Sequence, residues 1–280
     1  MAKGIIKDAI VPTPGDLGVW AAVERVRAQS PLVHNITNFV VMNNTANALL
    51  ALGAAPVMAH AEEEMADIVA IASSLVINIG TLSKGWVAAM FQAADLAAKR
   101  GIPIILDPVG AGASAYRTAT VLDFLKAVKP TIIRGNASEI MAIQGAGGAT
   151  RGVDSSHGSG DAIDAARALH AELGSVICIS GATDCIVGDR GVGLIRNGDP
   201  MMTRVTGLGC TASALCGALA AVTPDPWQAA TQTMAIMGVA GEIAADHAEG
   251  PGSLQLQFLD ALYGLTGKQF AKRLRFEVQA

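Results

Sequence analysis

Short apolar runs alternate with longer segments of helical periodicity along most of this chain. The runs SLVINIG (74–80) and IPIILDPVGAG (102–112) are apolar and end in glycine or continue through Asp-Pro. Between them, LSKGWVAAMFQAADLAAKRG spaces its apolar residues as a helix does, with Ser83 as its cap and Gly101 as its stop. This alternation predicts repeated βαβ units. We therefore expect an α/β fold with a parallel sheet, helices on both faces, and ligands at the carboxyl ends of the strands.

The same pattern predicts the other elements. Asn38 or Thr37 is predicted to cap a helix that runs to Leu52, where Gly53 ends it. The stretch DCIVGDRGVGLIRNG (184–198) predicts two short antiparallel strands around GDRG. Further helices are predicted over 17–29, 60–72, 117–128 and 161–173, further strands over 56–58 and 175–180, a strand, a turn and a helix within 131–140, and a turn over 250–253 with Ser253 capping the next helix.

Composition favours one large domain over residues 1–280. Apolar residues make up 51% of the chain and charged residues 16%, which is typical of buried parallel strands under closely packed helices. The Gly- and Ser-rich stretch 145–160 has the composition of a linker, but the composition does not change after it. We therefore interpret it as a loop within one domain. The apolar excess also indicates a surface that another subunit covers.

Charge and cysteine content exclude several classes of protein. The net charge is -4 without a basic cluster, which argues against nucleic acid as a partner. The apolar runs fall short of the about 20 residues that a membrane span needs, and the N-terminus lacks a signal region, so we expect a cytoplasmic protein. The four cysteines show no CxxC spacing, and three of them lie in apolar segments typical of core thiols: Cys178, Cys185 and Cys216.

The stretch VTGLGC (205–210) is predicted to hold the end of a strand, a tight turn at Gly207 and Gly209, and the start of a long apolar helix. The first N–H groups of a helix have no partner within it, so such a turn binds anions, above all phosphate. A strand-to-helix connection without a ligand has the same sequence. Cys210 lies at this helix start, either as a base, whose pKa a helix terminus lowers and a triphosphate raises, or as a small spacer.

Three other predicted strand ends carry polar groups. Asp107 follows an apolar strand, Ser180 precedes a glycine, and Arg134 is suited to bidentate contact with phosphate. Asn136 and Glu139 either face one ligand together or form a helix cap and its partner. Carboxylates suit Mg2+, which keeps its waters and substrate phosphates. An anion nest, a cation and two carboxylates at one sheet edge predict phosphoryl transfer from ATP, although the P-loop pattern GxxxxGK[ST] does not occur.

Taken in order, these motifs resemble the hydroxyethylthiazole kinases, the thiamine-salvage members of the ribokinase-like superfamily. The match runs from HNITNFVVMNNTANALLALGAAPVM through NIGTLSK, ILDPVGAGA, RGNASEI, TRGVD and VTGLGC to GPGS. The resemblance implies a three-layer ribokinase-like fold with a mostly parallel sheet. It also implies that ATP, with Mg2+, phosphorylates the hydroxyl of 4-methyl-5-(2-hydroxyethyl)thiazole, and that a homotrimer forms its active sites between subunits.

The resemblance assigns roles to individual residues. Cys210, with Gly207 and Gly209, takes the catalytic position where sugar kinases of the superfamily have an aspartate. The other implied roles are the thiazole pocket for Met58, Gly207, Asn38 and Val40, the ATP site for Arg134, Ser180 and Asn136, and Mg2+, through water, for Asp107 and Glu139. Leu208 departs from the family, in which Ala or Ser is usual between the glycines, and we expect it to tighten the pocket.

Three alternatives stay open at this point. One is a kinase of the same fold for another small alcohol, such as hydroxymethylpyrimidine. Another is a non-catalytic ATP-binding trimer, against which the set of Asp107, Glu139 and Arg134 argues. The third is a cysteine-nucleophile hydrolase, which needs a histidine partner, and none of the five histidines has a diagnostic spacing.

Overall fold

The computed structural model describes residues 17–147 and 159–279. The strands are β1 Leu32–Ile36, β2 Ala55–Val57, β3 Ser74–Asn78, β4 Ile104–Asp107, β5 Ile132–Asn136, β6 Val176–Ser180, β7 Asp184–Gly188, β8 Gly191–Ile195 and β9 Phe276–Gln279. They form a sheet with the order β2-β1-β3-β4-β5-β6-β7-β8-β9. The pairs from β2 to β6 are parallel and those from β6 to β9 are antiparallel. The expected mostly parallel sheet is confirmed.

Helices cover both faces of this sheet. They are α1 Val19–Gln29, α2 Met42–Leu52, α3 Met65–Ile71, α4 Lys84–Arg100, α5 Ala115–Ala127, α6 Ala137–Gly147, α7 Ser159–Leu173, α8 Leu208–Val222, α9 Pro226–Ala245, α10 Pro251–Gly264 and α11 Gly267–Arg273. One face packs against α1, α2 and α8 to α11, and the other against α3 to α7. The result is a three-layer α/β fold.

Consecutive strand residues point into opposite cores. Val76 and Ile132 contribute to the core under α8, whereas Leu75 and Ile133 contribute to the core under α3 to α7. Because both faces are buried, both sets of positions are apolar, and the strands appear in the sequence as continuous apolar runs. This is why the pattern of short apolar runs identified the parallel strands.

Helix α8 positions the site, because it lies directly on the sheet. It is buried along almost its whole length and contacts β1, β3 and β4. Gly217 permits this close approach, since a Cβ at that position would lie only 2.7 Å from Val76 Cγ2. The packing holds the first turn of α8 at the carboxyl edge of the parallel strands.

Several predicted boundaries agree with the structure. Ser83 Oγ accepts a hydrogen bond from Trp86 N and caps α4, and Gly101 ends it with φ of 70°. β7 and β8 form the expected antiparallel hairpin. Ser253, in contrast, is not the predicted N-cap, because α10 already begins at Pro251 with Gly250 at the N-cap; Ser253 lies in the first turn, where its Oγ accepts from Gly250 N at 3.2 Å. Within the described residues, no helix is both long and apolar enough to cross a membrane.

Two further predicted starts are wrong. The helix expected from Thr37 or Asn38 begins at Met42, because Asn38 Oδ1 accepts from Val40 N at 3.1 Å and closes a turn between β1 and α2 instead. The glycine turn is preceded by a 3-10 helix, Pro200–Arg204, rather than by a strand. Helix α11 and strand β9 were not predicted. Most of the expected loop, residues 148–158, lies outside the described residues.

Candidate active site

The carboxyl ends of the parallel strands bring five polar side chains to the start of α8. Asn78 and Asp107 end β3 and β4 and lie opposite each other in register. Arg134 lies in β5, Ser180 ends β6, and Cys210 lies in the first turn of α8. Ligands of parallel α/β sheets bind at this edge, so the fold by itself indicates where the ligand-binding site lies.

The two glycines at the start of α8, Gly207 at its N-cap and Gly209 in its first turn, leave no room for a Cβ. Gly207 has φ of 84°, and a Cβ there would lie 2.6 Å from Val41 Cγ1. Gly209 has no such backbone requirement, but its Cβ would lie 2.9 Å from Arg134 Nη1. The first glycine therefore permits the turn, and the second permits a guanidinium to approach the backbone.

The first three amides of α8 have no partner in the part of the chain that the structure describes. The first of its N–H groups to bond within the turn is that of Thr211, which donates to Gly207 O at 2.8 Å. Within residues 17–147 and 159–279, the N–H groups of residues 208–210 have no acceptor. These groups lie at the positive end of the helix dipole and form an anion nest of the kind that binds phosphate.

Arg134 lies beside this nest and is 8% exposed. Its Nη2 donates to Ser180 Oγ at 2.6 Å, whereas its Nε is buried and has no partner among the described residues. Burial opposes its charge, but the carboxylates Asp107 and Asp184 raise the pKa of Arg134 overall. The ion pairs of the described residues do not include Arg134. A buried guanidinium with unused N–H groups is suited to an anionic ligand.

Asp107 is buried and asymmetrically hydrogen-bonded. Its Oδ2 accepts from Asn78 Nδ2 and from Ser213 Oγ, both at 2.7 Å. Its Oδ1 is buried with no partner among the described residues. Burial raises the pKa of Asp107 to about 6, against the effects of Arg134 and of the hydrogen bond from Ser213. One carboxylate oxygen is thus held, and the other is left for a ligand.

A chain of amides links this carboxylate to Cys210. Asn78 Oδ1 accepts from Asn38 Nδ2 at 2.8 Å, and the same Nδ2 lies 3.4 Å from Cys210 Sγ, to which it donates. Burial and the nearby charge of Asp107 raise the pKa of Cys210 to about 11. The expected lowering by the helix terminus is therefore outweighed, and Cys210 is a neutral thiol at physiological pH.

A cavity of about 560 Å³ lies next to the nest and Arg134. Its polar wall includes Ser180 and Asp184, and its apolar wall includes Met234 and Met237 of α9. Leu208, the residue that departs from the family pattern, also lines it. The size and the apolar wall suit a heterocycle, while the cationic end suits phosphate groups.

Comparison with known proteins decides the family. The model of the hydroxyethylthiazole kinase family matches residues 23–268, which is most of the chain. The chain belongs to the hydroxyethylthiazole kinase family. Hydroxyethylthiazole kinase of Syntrophus aciditrophicus (strain SB) is 64% identical over 257 residues, which are 91% of this chain and 95% of that protein. Hydroxyethylthiazole kinase of Leptothrix cholodnii is 54% identical over 271 residues, which are 95% and 97% of the two chains.

Solved structures agree with this family membership. The hydroxyethylthiazole kinase protein from Pyrococcus horikoshii OT3 superposes with a TM-score of 0.87 at 41% identity, covering 94% of this chain and 99% of that one. A ribokinase-like superfamily protein from Enterococcus faecalis V583 has a TM-score of 0.58 at 13% identity, covering 82% and 86% of the two chains. The second likeness concerns the fold alone, and it confirms the expected ribokinase-like architecture.

In this member of the hydroxyethylthiazole kinase family, Asn136 and Glu139 form a cap and its partner. Glu139 N donates to Asn136 Oδ1 at 2.9 Å, and Asn136 N donates to Glu139 Oε2 at 2.8 Å, where β5 passes directly into α6. Glu139 Oε1 accepts from Gly110 N at 2.8 Å, so the buried carboxylate also holds the loop after Asp107. Asn136 is exposed. The structure thus contains the capping arrangement that the sequence left open, on the same edge as Asp107.

The residues expected to line the thiazole pocket are not among those that line the cavity next to Arg134. Met58 follows β2 at the edge of the sheet and is half-buried. Val40 is 63% exposed, and the neighbouring Phe39 is 65% exposed. Asn38 is buried, and the contact between Gly207 and Val41 seats the β1–α2 loop against the bend. Because Phe39 and Val40 are exposed, the side of the bend that carries the β1–α2 loop is open in the single chain.

Sequence reasoning missed Asn78, Ser213 and Arg117. Arg117 of α5 donates to three backbone carbonyls, those of Ile79, Gly80 and Val109, and so joins the loops after β3 and β4. An asparagine at the end of an apolar strand was a usable signal for Asn78. Nothing local distinguishes Ser213 or Arg117 from other helical residues. In the described residues, no group of three or more His, Cys, Asp or Glu forms a metal site by itself.

Proposed function

We propose that the protein is a hydroxyethylthiazole kinase, which transfers the γ-phosphoryl group of ATP to the hydroxyl of 4-methyl-5-(2-hydroxyethyl)thiazole. The observation that carries this proposal is the unpaired amide nest at residues 208–210 beside Arg134 and Cys210. The curated relatives that are 64% and 54% identical to this chain are named for this activity.

Arg134 and Ser180 hold the phosphates of ATP at the polar end of the cavity, and its apolar wall receives the base. Asn136 lies at the end of the neighbouring strand, within this nucleotide-binding edge. The amides of residues 208–210 bind the transferred group. Because they are fixed before the reaction, they stabilise the developing negative charge without reorganisation, which is usually the largest contribution to such catalysis.

The chain fits the Mg2+ that ATP-dependent kinases use. Asp107 supports this, because its Oδ1 is buried without a partner and would otherwise be left with an uncompensated charge. Glu139, on the same edge, is the second acidic residue, and Asp107 and Glu139 would hold the ion through its waters. When bound, Mg2+ supplies neutralisation of the phosphate charge.

Cys210 contributes position rather than base strength. Its neutral thiol accepts from Asn38 Nδ2 and so turns toward the edge where the substrate hydroxyl arrives. A loose transition state for phosphoryl transfer demands little of a base. We therefore assign the rate acceleration mainly to the nest of residues 208–210, which the turn at Gly207 and the small Gly209 make possible, with Cys210 as a spacer or a weak base.

The thiazole binds on the open side of the bend, against Asn38, Val40, Met58 and Gly207. The open side supports a homotrimer in which a neighbouring subunit completes the pocket, because Phe39 and Val40 are large apolar residues exposed beside it. A cytoplasmic location, where ATP is available, belongs to the same proposal. Light scattering after gel filtration should give three times the chain mass of 28.5 kDa. A mass of one chain contradicts the trimer.

The activity is tested with purified protein, ATP and Mg2+ on three alcohols: the thiazole alcohol, hydroxymethylpyrimidine and ribose. We expect kcat/KM to be highest for the thiazole alcohol, with its phosphate ester identified by phosphorus NMR. Arg134→Met is the control that should lose turnover. A higher kcat/KM for hydroxymethylpyrimidine contradicts the proposed substrate, and nucleotide binding without turnover on any alcohol contradicts the enzyme.

A further inference from the structure

One buried hydroxyl of α8 donates to a carboxylate 106 residues away in the chain. Ser213 is fully buried, and its Oγ donates to Asp107 Oδ2 at 2.7 Å. Hydroxyls inside helices often donate to the carbonyl four residues earlier, as Thr231 and Thr233 do in α9 at 2.7 and 2.8 Å. Ser213 departs from that pattern, so its hydrogen bond serves Asp107 rather than its own helix.

The second donor to the same oxygen is firmly held. Asn78 Oδ1 accepts from Asn38 Nδ2 at 2.8 Å and from Gly80 N at 2.9 Å, which directs Asn78 Nδ2 at Asp107 Oδ2. Two donors on Oδ2 restrict rotation of the carboxylate, and Oδ1 is left buried with no partner within residues 17–147 and 159–279. An unpaired buried carboxylate oxygen is costly unless a ligand compensates for it.

We propose that Ser213 is a positioning residue for a divalent cation bound with the nucleotide: by occupying Oδ2 of Asp107, it directs Oδ1 at the water shell of the cation. The inference rests on the proposed function for the identity of the ligand, a metal–nucleotide complex. Outer-shell hydrogen-bond partners, which orient the groups around a metal, commonly change metal affinity by about 10–100-fold when they are removed. Ser213 would therefore control metal affinity without touching the metal.

The test compares Ser213→Ala with the matched control Ser74→Ala in the full-length protein. Ser74 is also a fully buried serine, but its Oγ has no partner among the described residues. Binding of Mn2+ in the presence of ADP, followed by electron paramagnetic resonance, reports on the site without turnover. We expect Ser213→Ala to weaken Mn2+ binding by about 10–100-fold and Ser74→Ala to change it less than about twofold.

Wild-type Mn2+ affinity in folded Ser213→Ala would overturn the inference. An equal loss in Ser74→Ala would also do so, because it would indicate general loosening of the core. If circular dichroism shows that Ser213→Ala does not fold, Ser213→Cys replaces it. That variant keeps the shape but has a weaker donor, so we expect an intermediate loss, and unchanged affinity overturns the inference.

The two proposals fail separately. A protein that binds Mn2+ with ADP in a Ser213-dependent way, but does not phosphorylate the thiazole alcohol, contradicts the proposed function and leaves the role of Ser213 standing. A protein that phosphorylates the thiazole alcohol, but whose metal affinity does not depend on Ser213, supports the proposed function and contradicts the role of Ser213.

Discussion

Two buried carboxyl groups act on Arg134, and they are held in different ways. Asp107 on β4 receives two side-chain hydrogen bonds on one oxygen and has the other oxygen free. Asp184 on β7 accepts from one backbone group, Gly181 N, at 3.0 Å. Burial raises the pKa of both, to about 6 for Asp107 and about 7 for Asp184.

Because both side chains are buried, burial alone does not identify which acid binds a ligand. Donors from Asn78 and Ser213 oppose the desolvation of Asp107, orient it and leave a defined oxygen unpaired. Asp184 lines the cavity, but its Oδ1 accepts from Gly181 N and so closes the turn after Ser180. We therefore assign Asp107 to the reaction and Asp184 to the shape of the nucleotide pocket.

The largest expected difference is in activity. Asp107→Asn should lower kcat/KM by about a thousandfold, because it removes the charge opposite the phosphates, whereas Asp184→Asn should cost less than about tenfold. Steady-state kinetics on the thiazole alcohol measure both. Similar losses in the two variants would mean that the distinction between the two acids is wrong.

Arg134, which both acids act on, should give the next largest effect. Arg134→Lys keeps the charge but loses the planar fork that bonds Ser180 and approaches Gly209. We expect KM for ATP to rise by about 10–100-fold, with a smaller change in KM for the thiazole alcohol. An unchanged KM for ATP would place the nucleotide elsewhere.

A smaller effect concerns stability and pH. Because the pKa of Asp184 is raised to about 7, the folded protein keeps a proton that the unfolded chain has released at neutral pH. The stability that Asp184 contributes is present below about pH 4 and is lost as the pH rises through about 7, by at most about 1.4 kcal/mol per unit.

Asn cannot ionise, and its Oδ1 can still accept from Gly181 N. Asp184→Asn should therefore match the wild type in urea unfolding near pH 4 and be more stable at pH 8. Asp107 is present in both proteins, so its own titration cancels in the comparison. A variant that is equally destabilised at both pH values would contradict the raised pKa.

The smallest expected effect is at Cys210. Replacing it with Asp should keep or improve turnover, because this is the position of the acidic base in related sugar kinases and Asn38 Nδ2 is available to the new carboxylate. Cys210→Ser should stay within about tenfold of the wild type, since little depends on the base. A complete loss of turnover in folded Cys210→Asp protein would contradict this view.

Local patterns predicted most of the fold and much of the candidate site. The parallel strands and α4 could be predicted because apolar runs and capping residues are patterns of a few neighbouring positions in the sequence. The bend at Gly207 and Gly209 was recognisable as a nest for the same reason. The late start of α2 was missed, because Asn38 uses its side chain to close a turn rather than to cap the helix.

The sequence by itself determined the layered α/β fold, the family and the anion nest, because periodicity, glycine and helix-start chemistry are local properties. Only the tertiary structure decided that Ser213 and Asn78 hold one oxygen of Asp107, and that Cys210 is a neutral thiol. Hydrogen bonds between residues up to 106 positions apart, and the desolvation that shifts these pKa values, arise only when α8 packs onto the sheet.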